Sequence, residues 1–193
     1  MSEEGPDPFF LLGLEPRLWL EPETIRERVL QRSATLHPDG PDGDAEAFAS
    51  LREAGRQLAD PAQRILLILQ IHGEAPLKTP PGPMALGFFD AIARHQQSTV
   101  PVLREAAPTS AIAAAVYAGK RKTAAEASGL LLKKIDEALE VLEARLRFYD
   151  TEKMPPMDEL RVLAGEYRTL QKWRGELAEH CFLLTQNSRS SLS

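Results

Sequence analysis

The sequence is poor in the features that mark several classes of protein. Its 193 residues include one cysteine, Cys181, which excludes an internal disulfide framework and any zinc site with four cysteine ligands. Its longest apolar run, from Ile65 to Leu69, is far too short to cross a bilayer. No stretch alternates between apolar and polar residues with a period of two, so the signals of β-strands are missing. We therefore expect an all-α protein that does not span a membrane.

Positive charge is also in deficit, since the formal net charge is -5. A nucleic-acid binder of this size is usually basic, so we expect no nucleic-acid partner. The first eight residues are acidic and contain two prolines, whereas a signal peptide needs a basic start and an apolar core. The remaining composition, 43% hydrophobic and 26% charged, is that of a globular protein that buries a core. These features predict a soluble, cytoplasmic protein.

No pattern of catalytic or ligand-binding residues is evident. His37 and Asp39 have no serine or cysteine nucleophile near them in the sequence, so a hydrolytic triad is not indicated. The other histidines, His72, His95 and His180, lack metal-ligand spacing and are predicted to be surface residues. No glycine-rich phosphate or cofactor loop is present. We therefore expect a protein that is not an enzyme and has no catalytic residues, metal or cofactor.

Four helices are predicted in the first 73 residues. Their bounds are Pro8 to Leu12, Pro22 to Leu36, Ala45 to Ala59 and Pro61 to His72. Asp44 and Asp60 stand at N-cap positions, and Gly13 and Gly73 end helices. Gly55 lies within the third helix, where it costs about 1 kcal/mol of helix propensity against alanine. The apolar stripe of the second helix consists of Ile25, Val29, Leu30 and Leu36.

The segment from Gly73 to Pro83 contains four prolines and is predicted to be a linker. Three helices are predicted beyond it, at about Met84 to Ala106, from Ser110 or later to about Thr151, and from Met157 to about Leu184. Gly119 and Gly129 are candidate interruptions of the long middle helix. Apolar residues recur at intervals of three and four in the last two helices, and these seams are Leu131, Ile135, Ala138, Leu142, Leu146 and Tyr149, then Leu160, Leu163, Tyr167, Leu170, Trp173, Leu177, Cys181 and Leu184. This pattern predicts an antiparallel coiled-coil hairpin with the preceding helix packed on it, and Cys181 as a small buried hydrophobe.

The tripeptide His37-Pro38-Asp39 lies between the second and third predicted helices. Proline removes a backbone donor and keeps the preceding residue out of the helical region, so the histidine and the aspartate are expected on an exposed turn. There they could form a rigid contact for a partner's surface. The helix before the tripeptide carries three arginines, which are Arg26, Arg28 and Arg32. Their charge would complement an acidic partner surface, although the tripeptide alone could also be a turn with a solvated histidine.

In this position the tripeptide resembles the signature of the J-domain family. The helix that follows it and the next helix start add further J-like residues, which are Glu53, Ala54, Leu58, Asp60, Pro61 and Arg64. In a J domain two helices form an antiparallel hairpin with the His-Pro-Asp tripeptide in the loop, and two short helices accompany the hairpin. The resemblance implies that the tripeptide and the three arginines bind a DnaK-type ATPase chaperone.

The segment from Asp7 to Leu20 looks like the start of the HscB family, the J-domain co-chaperones of iron–sulfur cluster assembly. In that family a J domain and a short linker precede a three-helix bundle, which binds the scaffold protein on which clusters are built. Here Phe88, Phe89 and Ile92 keep the apolar positions of the family's binding helix, while most of its glutamates are absent. The alternative is that these three residues are bundle core.

The resemblance implies a J domain in residues 1–73, a linker in 74–83, a client- or scaffold-binding three-helix bundle in 84–185, and a disordered tail in 186–193. The implied function is a co-chaperone that stimulates a DnaK/HscA-type ATPase and delivers a client, with the iron–sulfur scaffold as the candidate. The alternative from another class is a J-like adaptor whose coiled coil mediates assembly without ATPase stimulation. An ATPase assay separates the two hypotheses.

Overall fold

A computed structural model of the chain describes residues 6–36, 44–74, 79–151 and 155–186. Within these ranges the regular structure is α-helical and no strand occurs, which confirms the predicted all-α class. None of the helices in the described part of the chain has the length and hydropathy needed to cross a membrane. The helices are α1 (Pro8–Leu12), α2 (Pro22–Leu36), α3 (Ala45–Ala59), α4 (Pro61–Ile71), α5 (Pro83–Leu86), α6 (Phe89–Arg104), α7 (Ala111–Thr151) and α8 (Met157–Gln186).

Short-range hydrogen bonds confirm the helix ends that were predicted from single residues. The Asp44 carboxylate accepts hydrogen bonds from the backbone N–H groups of the second and third residues of α3, each at 3.0 Å. The Asp60 carboxylate accepts one from Ala62 N at 2.9 Å, with Pro61 in the first position of α4. Gly13 ends α1 with φ +63°, a left-handed conformation that glycine adopts without strain.

The prediction of one helix from Met84 to Ala106 is wrong, because the chain forms two helices there. α5 has only four residues, and α6 begins after a turn at Gly87 and Phe88. The N–H of Phe88 donates to the carbonyl of Ala85 at 2.9 Å, a tighter spacing than that of an α-helix. The short first helix is therefore a separate element.

A buried carboxylate that binds the start of α5 explains why α5 is a separate helix from α6. Glu166 of α8 accepts hydrogen bonds from the N–H groups of Met84, at 2.9 Å, and Ala85, at 2.8 Å. These are N–H groups at a helix start that have no partner within the helix. A Cβ built on Gly82 would lie 2.3 Å from Oε1 of Glu166, so only glycine lets the carboxylate come this close.

The long helix α7 continues through Gly119 and Gly129, so neither candidate interruption occurs. A glycine within a helix costs only about 1 kcal/mol against alanine and leaves the backbone hydrogen bonds intact. The buried apolar face of a 41-residue helix offsets that cost.

The chain forms two compact units. The first unit consists of Met1–Thr79 with Glu143–Gly165, and the second of Pro80–Leu142 with Glu166–Ser193. The predicted domains differ from these units, since they assigned all of residues 84–185 to one bundle. Asp150 makes some of the contacts that join residues 143–165 to the first unit, since its carboxylate accepts a hydrogen bond from Leu18 N at 3.1 Å and lies 3.3 Å from Nε of Arg17.

The core of the first unit surrounds a buried arginine. The side chain of Arg64 is 2% exposed, and its Nε donates to the carbonyl of Leu18 at 2.9 Å. A second donor of the guanidinium bonds to the carbonyl of Leu58, and the group lies 5.8 Å from the ring centroid of Trp19. The apolar core residues around it include Phe9, Leu12, Ile25, Leu51, Ile65 and Ile68.

In the second unit α7 and α8 run antiparallel. Asp136 accepts a hydrogen bond from Nε of Arg174 at 2.6 Å, and further along the pair Arg121 donates to the carbonyl of Leu183 at 2.5 Å. The residue numbers rise along one helix as they fall along the other. Most of the predicted seam positions are buried within their own units, namely Leu131, Ile135, Leu142, Leu146, Leu160, Leu163, Tyr167, Leu170, Trp173, Leu177 and Leu184, whereas Ala138, Tyr149 and Cys181 are half-buried.

Gly55 has a packing role that its helix propensity does not indicate. It is buried where α3 meets α2, and a Cβ built on it would lie 2.5 Å from Cγ2 of Val29. Valine in a helix has essentially one χ1 rotamer, so this methyl group cannot easily move away. The glycine therefore permits the close packing of the two helices.

Gly55→Ala should destabilise the first unit by about 1 kcal/mol, because overpacking in a tight core costs about 1–3 kcal/mol and the gain in helix propensity is about 1 kcal/mol. Denaturant unfolding would be followed by the fluorescence of Trp19 in a Trp173→Phe background, which leaves one reporter in this unit. The matched control is Gly175→Ala in a Trp19→Phe background, since no atom lies within 4 Å of a Cβ built there. That control should stabilise the second unit, and an equal stabilisation by Gly55→Ala would contradict the packing role.

Candidate functional site

The three arginines predicted to bind a chaperone do not form one patch. Arg28 and Arg32 are four residues apart and share a face of α2, whereas Arg26 lies roughly 160° around the helix from Arg28. Arg32 lies against the backbone of Gly13. Arg28 is exposed and donates to Gln31 at 3.4 Å.

Arg26 lines a groove between α2 and α3 in the first unit. The apolar part of the groove includes Ile25, Val29, Leu30 and Phe48, with Gly55 and Ala59 on the α3 side. Leu30, a member of the predicted apolar stripe of α2, is 71% exposed here. Two further arginines from α3, Arg52 and Arg56, line the same groove. The groove thus combines an accessible apolar surface with three cationic side chains.

Each of these arginines has a local partner that orients it. Arg26 pairs with Glu23 at 3.0 Å, and the guanidinium of Arg52 lies 5.9 Å from the ring centroid of Phe48. Arg56 forms a two-point contact with Glu53, with Nε 2.8 Å from Oε2. Its hydrogen bond is the main reason that the pKa of the Glu53 carboxyl is lowered to about 2.

The tripeptide His37, Pro38 and Asp39 lies outside the described residues. Its neighbours in the chain are described, since α2 ends at Leu36 and Asp44 caps α3. The groove is built by the two helices that flank the tripeptide in the sequence.

Arg52 and Arg56 were not among the predicted site residues, although the sequence contains a signal for them. Phe48, Arg52 and Arg56 recur at intervals of four, and Gly55 follows Arg52 by three, so the four residues share one face of α3. Reading that face together with the face of α2 that carries Arg26 and Leu30 would have identified the groove.

The three residues predicted to bind a client are divided between the core and the surface of the second unit. Ile92 is buried, which agrees with the bundle-core alternative for that residue. Phe89 is 45% exposed and meets Trp173 of α8 edge-on, with ring centroids 5.1 Å apart, while Phe88 is half-buried. Leu86 in α5 is also exposed. Phe89 and Leu86 are therefore the accessible apolar side chains at the start of this helix pair.

The prediction that His95 is a surface residue is wrong. It is 6% exposed, its ring stacks on that of His180 with centroids 5.4 Å apart, and its Nε2 lies 2.8 Å from Oγ of Ser128. The hydroxyl of Ser128 donates to the carbonyl of Ala124 at 2.8 Å. Ser128 can therefore only accept from the histidine, which places the proton of the neutral ring on Nε2.

Burial, and secondarily the neighbouring His180, lower the pKa of His95 from its ordinary value of 6.5. The contacts of His95 with Ser128 and His180 join α6 to α7 and α8.

No three His, Cys, Asp or Glu side chains of the described ranges are grouped so that they could hold a metal ion.

No known family model matches the chain, and no curated protein matches it in sequence.

The stability of the second unit should fall as the pH drops below 6.5. The unfolded chain binds a proton at His95 at a higher pH than the folded chain does, so the contribution of the neutral ring is present above 6.5 and lost as the pH falls through the lowered pKa. The measurement is denaturant unfolding between pH 7.5 and 5, followed by Trp173 in a Trp19→Phe background.

His95→Gln should remove much of this loss on acidification, whereas the control His72→Gln changes an exposed histidine of the first unit and should preserve it. An acid response that is identical in the wild type and in His95→Gln would rule out this role for the histidine.

Proposed function

We propose that the chain is a J-domain co-chaperone of the HscB type, which binds a DnaK/HscA-type chaperone and stimulates its ATPase. In this proposal the protein acts in the cytoplasm and catalyses no reaction itself. The observation that carries it is the groove between α2 and α3, which lies on the two helices that flank His37-Pro38-Asp39 in the sequence.

The groove has the properties of a docking surface for an acidic partner. Leu30 and Phe48 offer apolar contact area, and Arg26, Arg52 and Arg56 supply positive charge around it. Charges at the rim of an interface mainly raise the association rate and fix the orientation, while desolvated apolar groups contribute most of the affinity. The partner would thus be steered by the arginines and held by the apolar residues.

The geometry also distinguishes among the arginines that the sequence nominated. Arg26 lines the groove, whereas Arg28 lies on another face of α2 and Arg32 lies against Gly13. We therefore assign docking to Arg26 together with Arg52 and Arg56, and expect smaller contributions from the other two residues of α2.

The test is single-turnover ATP hydrolysis by the DnaK-type chaperones of the same organism, with increasing amounts of this protein. His37→Gln should abolish the stimulation. Arg26→Glu should raise the concentration that gives half-maximal stimulation by about tenfold, because reversing a rim charge slows association with an acidic surface. The matched control is Arg28→Glu, an equal change of charge on an exposed arginine of the same helix, which should remain within about twofold of the wild type.

Failure of the wild-type protein to stimulate any of these chaperones would overturn the proposal. The better account would then be a J-like adaptor, whose antiparallel α7–α8 pair mediates assembly without acting on an ATPase. Equal effects of Arg26→Glu and Arg28→Glu would leave the co-chaperone function intact but would refute docking at the groove.

We further propose that the second unit binds the client, and that the iron–sulfur cluster scaffold is that client. The support is the exposed apolar pair Leu86 and Phe89. Ile92 would act from within the core by fixing the position of α6. Phe89 would therefore contact the client, whereas Ile92 would only support the helix that carries Phe89.

Phe89→Ala should weaken binding of the scaffold by about tenfold or more in calorimetry, because an exposed aromatic side chain is a frequent source of binding energy. The control is Phe182→Ala, which removes another exposed phenylalanine of the same unit, on α8, and should leave the affinity unchanged. Circular dichroism checks that both variants keep their helix content. Scaffold binding that is unaffected by Phe89→Ala would refute this surface as the client site.

A further inference from the structure

One outward face of α7 in the second unit carries large apolar side chains that the fold does not cover. Ile112, Val116, Leu130 and Val141 are between 55% and 83% exposed. At about 100° per residue these four positions fall within roughly 40° of one another around the helix. We call this face the outer stripe of α7.

The outer stripe is distinct from the face of α7 that packs inside the unit. The buried residues of this part of the helix, among them Ser128, Leu131, Ile135 and Leu142, lie roughly 80–140° around the helix from the centre of the stripe. Single exposed apolar residues are common on protein surfaces, but several in one line along a helix mark an interaction surface. Thr123 and Lys134 also lie within these angles, so the helix has a second, partly apolar face without a partner in the described part of the chain.

The charges beside the outer stripe indicate which partner fits it. One flank of the stripe carries Glu140 and, before it in the chain, four exposed residues in the order Lys122, Glu126, Lys133 and Glu137. Their spacing is four, seven and four residues, and the last two form an ion pair at 3.8 Å. The signs of these four charges alternate as plus, minus, plus, minus. When a second copy of the helix runs in the opposite direction, each of the four charges therefore lies opposite a charge of the other sign.

We propose that the outer stripe binds a second copy of this chain, with the two α7 helices antiparallel and the two-fold axis near Leu130. In this register Lys122 of one copy faces Glu137 of the other, and Glu126 faces Lys133. The two-fold axis repeats each pair, so each of these four charges meets an opposite charge. A parallel pair would instead bring Lys133 next to Lys134 of the second copy, which is repulsive.

The apolar side chains fit the same register. Leu130 packs against its own counterpart on the axis, and Val141 faces Gly119 of the other copy. No atom of the chain lies within 4 Å of a Cβ built on Gly119, so the space above this glycine is open to a partner's side chain. The contact from residue 119 to residue 141 extends over roughly 33 Å of helix at 1.5 Å per residue. An interface of that length lies at the small end of specific complexes, so a dissociation constant on the order of micromolar is expected.

Sedimentation equilibrium of the full chain, from about 1 to 200 μM, tests the proposal. The wild type should change from monomer to dimer across this range. Leu130→Glu should raise the dissociation constant by about 30-fold or more, because it places two like charges on the axis in place of the central apolar contact. The control is Ile71→Glu, which introduces the same charge at an exposed aliphatic residue of α4 and should leave the dimer intact.

A charge exchange tests the register without removing apolar surface. Glu126→Lys and Lys133→Glu should each weaken the dimer, since each places like charges opposite one another. The double variant, which restores opposite charges at the same contacts, should recover most of the affinity. Both positions are exposed on the helix surface, so the fold of the monomer is not at risk.

A chain that stays monomeric at 200 μM would overturn the proposal. A dimer that tolerates Leu130→Glu would also overturn it, because the contact would then lie elsewhere on the molecule. If Leu130→Glu dissociates the dimer but the double charge variant is no better than the single variants, the antiparallel register is wrong. None of these outcomes depends on chaperone stimulation, so the inference stands or falls independently of the proposed co-chaperone function.

Discussion

The guanidinium of Arg64 is buried in the first unit, where a charge is tolerated only if its N–H groups are bonded. Its bonds reach the carbonyl of Leu18, between α1 and α2, and that of Leu58, near the end of α3. One side chain thus fixes three segments of the unit to one another. Because α3 packs on both α1 and α2, holding its end also holds the wall of the groove. A lysine could not replace the arginine, since it lacks the planar set of donors that serves both carbonyls.

The second unit uses buried polar groups in the same way, with different chemistry. Glu166 supplies a carboxylate to the first N–H groups of α5, and His95 donates to Ser128 across α6 and α7. The Glu166 carboxylate satisfies N–H groups that the start of α5 leaves open, which is the condition for burying it without a large loss of stability. Sequence neighbours do not provide these partners, since Glu166 is 81 residues from Ala85.

The all-α class and most helix ends could be predicted because their causes are local. Asp44, Asp60 and Gly13 act within a few residues, and the spacing of apolar residues identified the buried seams of α7 and α8. The sequence analysis failed where the cause lies far along the chain. Gly55 was counted only as a weak helix former, although it makes room for Val29, and His95 was placed on the surface because its partners come from two other helices. For the candidate site, Arg26 was found and the arginines of α3 were not, because the groove exists only once two helices are paired.

Periodicity shows which faces of a helix are apolar, but it does not show which of those faces the fold leaves uncovered. Leu30 and Leu130 belong to such faces in different units, and the charges around them differ in kind. The groove next to Leu30 is lined by three arginines, two of which pair with glutamates of their own helices, so an acidic surface of another molecule fits it better than a second copy of the same groove. Beside Leu130 the four charges of Lys122, Glu126, Lys133 and Glu137 alternate in sign. When two such helices run antiparallel, each of these charges faces an opposite one, which is the requirement for a two-fold interface between identical chains. A surface whose charges are mainly of one sign favours binding to a different molecule. A surface whose charges alternate in a self-complementary order favours binding to a second copy of the same chain, and the two proposed contacts follow from this difference.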